Sequence, residues 1–232
     1  MQTTRPFPLL LLFDLDGTLV DSRADLAAAT NRMRALHGLP PLDVATVVSY
    51  VGDGLGKLAV RALQGAPVDP DAAVREIGDC YDGRETDATR PYPGVDAGLR
   101  ALRGAGHRLG LVTNKPARHA RRIFDHFGWT PLFSVLMSGG DTPALKPAPD
   151  PILEAMRRTG ADPSSTWMVG DHHTDLEAAR RAGVSSVFLL SGLGTPGDET
   201  PTRVFPDFPA FVRAFLPGGE PAADAARPVP AP

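Results

Sequence analysis

The residues best suited to do chemistry fall in four short segments. Asp14 and Asp16 stand two apart in Asp14-Leu15-Asp16-Gly17-Thr18-Leu19-Val20-Asp21-Ser22. Thr113, Asn114 and Lys115 are consecutive and lead into Pro116. Lys146 opens the turn Lys146-Pro147-Ala148-Pro149-Asp150-Pro151. Asp171 and Asp175 stand four apart in Val169-Gly170-Asp171-His172-His173-Thr174-Asp175-Leu176. Of 24 basic residues only Lys57, Lys115 and Lys146 are lysines, so two of the three fall in these segments.

Past a strand end, residues two apart point to one side, so Asp14 and Asp16 share a site while Leu15 turns to the core. Gly17 permits a tight turn and close backbone approach. Several carboxylates in one place repel each other, and a hard divalent cation resolves that. Oxygen ligation favours Mg²⁺ over Zn²⁺, and the His172-His173 pair reads as an exposed loop. A hydroxyl, an amide and an ammonium suit an anion such as phosphate. A carboxylate is then left to attack phosphorus, which predicts phosphoryl transfer through an aspartyl-phosphate. Plainer readings stand beside these. Thr113 or Asn114 could cap the helix from Ala117, Asp175 could cap its own helix, and Lys146 could be a solvated loop lysine.

These segments need a scaffold that brings strand ends together. Leu9–Phe13 reads as a buried first strand. Ser22–Leu36 reads as a helix with Ser22 as N-cap and Leu26, Ala29, Met33 and Leu36 on one face. Asp43–Val51, Leu55–Leu63 and Asp71–Arg84 also read as helices, and no strand is expected from about Val20 to Arg90. Helices over Val95–Arg103, Ala117–Phe127, Pro151–Arg158 and Asp175–Ala182 then alternate with strands. The strands are Arg108–Val112, Ser134–Met137, Thr166–Val169 and Val187–Leu190. That alternation predicts an α/β fold, a doubly wound parallel sheet with an inserted all-helical cap domain. The expected division is a core of residues 1–19 and 91–216, a cap of 20–90, and a disordered Pro/Ala tail of 217–232. In such a sheet ligands bind beyond the carboxyl ends of the strands, so all four segments converge on one edge.

Composition narrows the class. A net charge of −3 offers no basic field for nucleic acid. Cys80 is the only cysteine, which excludes an internal disulfide and a Cys-rich zinc site and suits a cytoplasmic setting. The run ending at Asp14 is too short to span a membrane. A monomer or a homodimer acting on a small phosphorylated metabolite is expected.

In their order and spacing the four segments resemble the haloacid dehalogenase superfamily of Mg²⁺-dependent phosphatases, over roughly Leu9 to Leu193. The resemblance implies roles. Asp14 is the nucleophile, and Asp16 protonates the leaving oxygen and later activates water. Thr113 and Lys146 hold phosphoryl oxygens. Mg²⁺ is held by Asp14, the Asp16 carbonyl and Asp171, with Asp175 as a further ligand or support. The helical insert matches that superfamily's type 1 cap, and an acid at Asp16 argues against the dehalogenating branch. Tyr50-Val51-Gly52-Asp53-Gly54-Leu55-Gly56-Lys57-Leu58, Pro91-Tyr92-Pro93-Gly94-Val95 and Thr113-Asn114-Lys115-Pro116 look like the phosphoglycolate phosphatase branch. That implies substrate contacts from Gly17, Asn114, Lys115, Gly52, Gly54 and Lys57. The glycines could present N–H groups to a small carboxylate or simply form a turn. Lys57 could meet that carboxylate or decorate its helix. Alternatives are the same chemistry on a sugar phosphate or pyrophosphate, a β-phosphoglucomutase-like transfer, or a phospho-acceptor signalling module.

Overall fold

The computed structural model describes residues 8–66 and 69–219. Its centre is β1 (Leu10–Phe13), four apolar residues without exposed surface. A strand buried on both faces suits the middle of a parallel sheet. Beside it lie β4 (Arg108–Pro116) and then β5 (Phe133–Gly139). On its other side are β6 (Thr166–Gly170), β7 (Ser185–Leu189) and β8 (Arg203–Phe205). Every neighbouring pair in this order, β5-β4-β1-β6-β7-β8, is parallel.

The pleat sorts the β1 side chains into two layers. Leu11 and Phe13 pack against α5 (Val95–Gly104), α6 (Ala117–Phe127) and α9 (Phe208–Phe215). Leu10 and Leu12 pack against α7 (Asp150–Thr159) and α8 (His173–Ala182). The sheet is therefore doubly wound. The chain order reverses about β1, which places its carboxyl end at a topological switch point.

Between β1 and β4 the chain forms α1 (Arg23–Leu36), α2 (Val44–Val48), α3 (Leu55–Ala62) and α4 (Pro70–Tyr81). They close their own cluster around Met33, Val47, Leu58, Ile77 and Tyr81. The ends of this unit are tied by a two-residue antiparallel ribbon, β2 (Val20–Asp21) with β3 (Arg90–Pro91). Strands this short carry no periodicity, so the expectation of none here is corrected. Buried Asp25 reinforces the tie by accepting from the Ala88 N–H and from the Thr89 N–H and hydroxyl.

Other expectations change locally. Leu36 is 69% exposed, because the last turn of α1 buries Met33 and Arg34 and turns Leu36 away from the insert's core. Ser22 stands at the N-cap of α1, but its hydroxyl makes no capping bond and reaches Asp16 instead. The fourth strand runs on to Pro116, so Pro116 is the N-cap of α6 and neither Thr113 nor Asn114 caps it. β8 and α9 were not expected. Of the tail, residues 217–219 form a turn, and the remainder lies outside the described residues. No described helix is long and apolar enough to cross a membrane.

Candidate active site

Four strand ends meet over one cavity. Asp14 follows β1, with its N–H on the Val169 carbonyl at 3.0 Å, so the sheet ladder fixes its backbone. Thr113, Asn114 and Lys115 lie within β4, Lys146 in the loop after β5, and Asp171 after β6. Asp14, Asp16, Thr113, Asn114, Lys115 and Asp171 line the cavity from the sheet side.

Lys146 is 3% exposed and lies beneath Asp14. Its ammonium is 2.9 Å from Asp14 Oδ1, 2.6 Å from Asp175 Oδ1 and 2.7 Å from the Val112 carbonyl. Three acceptors match its three N–H donors. The solvated-loop reading of Lys146 is thereby corrected. Burial alone would push the ammonium's pKa down, but Asp14 and Asp175 outweigh it and hold it up.

Asp16 sits on a separate set of partners. Its Oδ1 accepts from Ser22 Oγ at 2.5 Å, and Lys115 Nζ lies 2.9 and 3.0 Å from its two oxygens. The remaining face of the Lys115 ammonium looks onto the Tyr81 ring of α4, 4.7 Å from its centroid. Lys115 too is buried, which pushes its pKa down, but Asp16 and Tyr81 together outweigh that burial and raise it.

Gly17 has φ +87°, and a Cβ there would collide with the Asp171 carboxylate. Asp171 Oδ1 accepts from Thr18 Oγ1 at 2.7 Å, and Oδ2 accepts from the Leu193 and Gly194 N–H groups at 2.8 and 3.1 Å. These partners escaped the sequence reading. Thr18 and Ser22 stand inside the first motif and could have been marked there, whereas nothing in Leu193-Gly194 signals its part. Asp175 does cap α8, with Oδ2 accepting the His172 N–H at 3.1 Å.

The remaining expected contacts are placed differently. Asn114 donates to the carbonyls of Gly52 and Lys146, and its Oδ1 accepts the Lys146 N–H. Its amide clasps the insert to the Lys146 loop and has no donor left for a phosphate. Gly52 and Gly54, at φ +112° and +94°, line the cavity from the insert. Lys57 does not border it. Its side chain is 63% exposed and pairs with Asp53 at 3.5 Å. His172, expected to be exposed, is half-buried, lines the cavity and lies against Gly52. Burial first, then His173, lowers its pKa to about 4.

Ligand oxygens of Asp14, Asp171 and Asp175 lie within 4.8 Å of one another. Burial raises the pKa of Asp14 to about 6, against the pull of Lys146. Burial, then Asp14 and Asp175, raises Asp171 to about 7. Crowded, desolvated carboxylates of this kind fit a hard, oxygen-seeking divalent cation.

Residues 11–189 match the sequence profile of the haloacid dehalogenase-like hydrolases. Phosphoglycolate phosphatase of Psychrobacter arcticus is 37% identical over 219 residues, which cover 89% of this chain and 95% of the relative. N-acetylmuramic acid 6-phosphate phosphatase of Pseudomonas aeruginosa is 36% identical over 193 residues, covering 82% and 84%. A crystal structure from Haemophilus somnus 129PT, described as a predicted phosphoglycolate phosphatase, matches with a TM-score of 0.83 at 32% identity. It covers 88% of this chain and 96% of that one.

Proposed function

The chain belongs to the haloacid dehalogenase-like hydrolase family, and from that premise we propose that it hydrolyses 2-phosphoglycolate to glycolate and phosphate through an aspartyl-phosphate on Asp14. The observation that carries this reading is the division of labour between two carboxylates on one turn. Asp14 lies with Lys146 and the Asp171–Asp175 pair, whereas Asp16 is turned to Lys115 and Ser22. One is set up to meet phosphorus and the other to move a proton.

A carboxylate oxygen of Asp14 attacks phosphorus and the ester P–O bond breaks. Asp16 gives its proton to the departing glycolate oxygen. In the second half, Asp16 takes a proton from water, the water oxygen bonds to phosphorus, and the Asp14 O–P bond breaks to release phosphate. The Thr113 hydroxyl holds an equatorial oxygen as charge spreads over it, while Lys146, its three donors taken by protein oxygens, fixes Asp14 and lends its charge to the site from beneath. Mg²⁺, held by Asp14, the Asp16 carbonyl and Asp171 with Asp175 behind, would supply the charge that lets an anionic nucleophile approach a phosphate dianion. Residues 20–90 act as a lid over residues 1–19 and 91–216. The setting is cytoplasmic, in keeping with the single half-buried Cys80.

The test is phosphate release from 2-phosphoglycolate with Mg²⁺ and with chelator, together with rapid-quench trapping of phosphorylated protein. Sustained, chelator-sensitive release with label on Asp14 is expected. A single phosphorylation without turnover would instead make the chain a phospho-acceptor module.

A further inference from the structure

We propose that the cavity takes a second class of substrate, phosphomonoesters whose leaving group is larger than glycolate and carries apolar surface. This deepens the phosphatase reading above and rests on it.

The cavity measures about 420 Å³. That falls within the range, roughly 300–1,000 Å³, of sites that enclose organic ligands well beyond two carbons. Its two walls differ in kind. The sheet side carries the carboxylates, Thr113 and Lys115. The opposite wall, from the helical insert, is mostly apolar, with Leu26, Val48, Val51, Leu55 and Leu58 beside Ser49, Gly52 and Gly54.

A cation in that wall would favour a small carboxylate, and among the described residues none lines it; the insert offers such a group only Ser49 and the backbone of Gly52 and Gly54. Among the described residues no arginine borders the cavity, although the sequence has 21. Lys57 and Arg61 both pair with Asp53, and Lys57 is mostly exposed. The ammonium groups that do lie near the phosphate position are committed. Lys146 has three oxygen acceptors, and Lys115 has both Asp16 oxygens and the Tyr81 ring. A carboxylate on the leaving group therefore meets no fixed positive charge from the insert. A methylene or methyl group laid against Val48 and Leu55 leaves water for apolar surface, which favours binding about three- to fourfold per buried CH₂.

The experiment is steady-state kinetics of the full chain with Mg²⁺ on ethyl, butyl and hexyl phosphate, with 2-phosphoglycolate alongside. Butyl phosphate should exceed ethyl phosphate by about tenfold in kcat/KM, from two added methylenes. Val48→Asn should flatten that slope. Val48 is half-buried and stands outside the insert's apolar cluster, so the variant should fold. If 2-phosphoglycolate is hydrolysed but the alkyl series is flat or falls with length, the apolar-wall inference is overturned and the phosphatase reading stands. If no compound releases phosphate, the phosphatase reading fails and this inference with it.

Discussion

The ammonium of Lys115 lies 2.9 and 3.0 Å from the two carboxylate oxygens of Asp16, with the Tyr81 ring closing its third side. Lys115 therefore holds that carboxylate in place, and on the phosphatase reading proposed above it acts through Asp16. Lys115→Met should lower kcat by roughly ten- to a hundredfold, a part of the hundred- to ten-thousandfold that general acid–base catalysis supplies. KM should change far less. A loss carried mainly by KM would return Lys115 to the substrate-binding role that its motif suggests.

Lys146→Arg should be worse tolerated than any other lysine exchange. The ammonium fills a pocket with three acceptors around a point charge, and a planar fork cannot reproduce that arrangement. Turnover should drop below a hundredth of the parent rate. Lys146→Met leaves two buried carboxylates without their cation, and breaking such a pairing costs about 3–5 kcal/mol. Denaturant titration of both variants checks the order.

Gly17→Ala combines two penalties. The backbone is left-handed at φ +87°, and the new Cβ runs into Asp171. The conformational part alone costs about 1–3 kcal/mol. Displacement of Asp171 should also weaken Mg²⁺ binding. A variant with parental Mg²⁺ affinity, measured by calorimetry, would show that the turn has room this structure does not reveal.

Metal and pH should be linked in a definite direction. Burial raises Asp14 to about 6 and Asp171 to about 7, both from 3.8. Between 3.8 and those values the folded, metal-free protein holds protons that the unfolded chain has released. By linkage its stability then falls as pH rises through that window. Mg²⁺ competes with those protons, so the Tm gained from Mg²⁺ should grow between pH 5 and pH 7.5. Asp171→Asn should remove most of that growth. An equal Mg²⁺ gain at both pH values in the parent would count against these two carboxylates as ligands.

What the sequence made legible follows from where the physics is local. β1 reads as a strand because four apolar residues without a break have nowhere to go but the core. α6 was expected over its observed span because its apolar residues recur at helical spacing and Gly128 ends it. The β2–β3 ribbon was illegible, since two residues cannot show a period and its register is set by the fold around it. α9 is legible in the sequence, for Phe208, Phe211, Val212 and Phe215 form a helical face behind an Asp207 cap. In the site, residue types disclosed the chemistry but not the pairings. Only the fold shows that Lys115 faces Asp16, that Asn114 grips Gly52, and that Lys57 is turned away.

Asn114 is one of the points where the insert is fastened to the sheet side. Its Nδ2 donates to the Gly52 carbonyl at 3.0 Å and to the Lys146 carbonyl at 2.8 Å, while Oδ1 accepts the Lys146 N–H at 2.8 Å. Asn114→Ala removes all three bonds, and each loss of a buried partner costs about 1–3 kcal/mol. The effect divides between two places. Freed from Asn114, the Gly52 segment should open more often, which is read as faster proteolysis near residues 50–56. The Lys146 loop should also loosen, which lowers kcat because Lys146 then holds Asp14 less firmly. Asn114→Asp divides the two effects only in part, since Oδ1 can still accept the Lys146 N–H while the donors to both the Gly52 and the Lys146 carbonyls are gone. That variant should keep more of kcat than Asn114→Ala yet be cleaved as readily. Equal kcat losses in the two variants would show that Asn114 serves the insert alone.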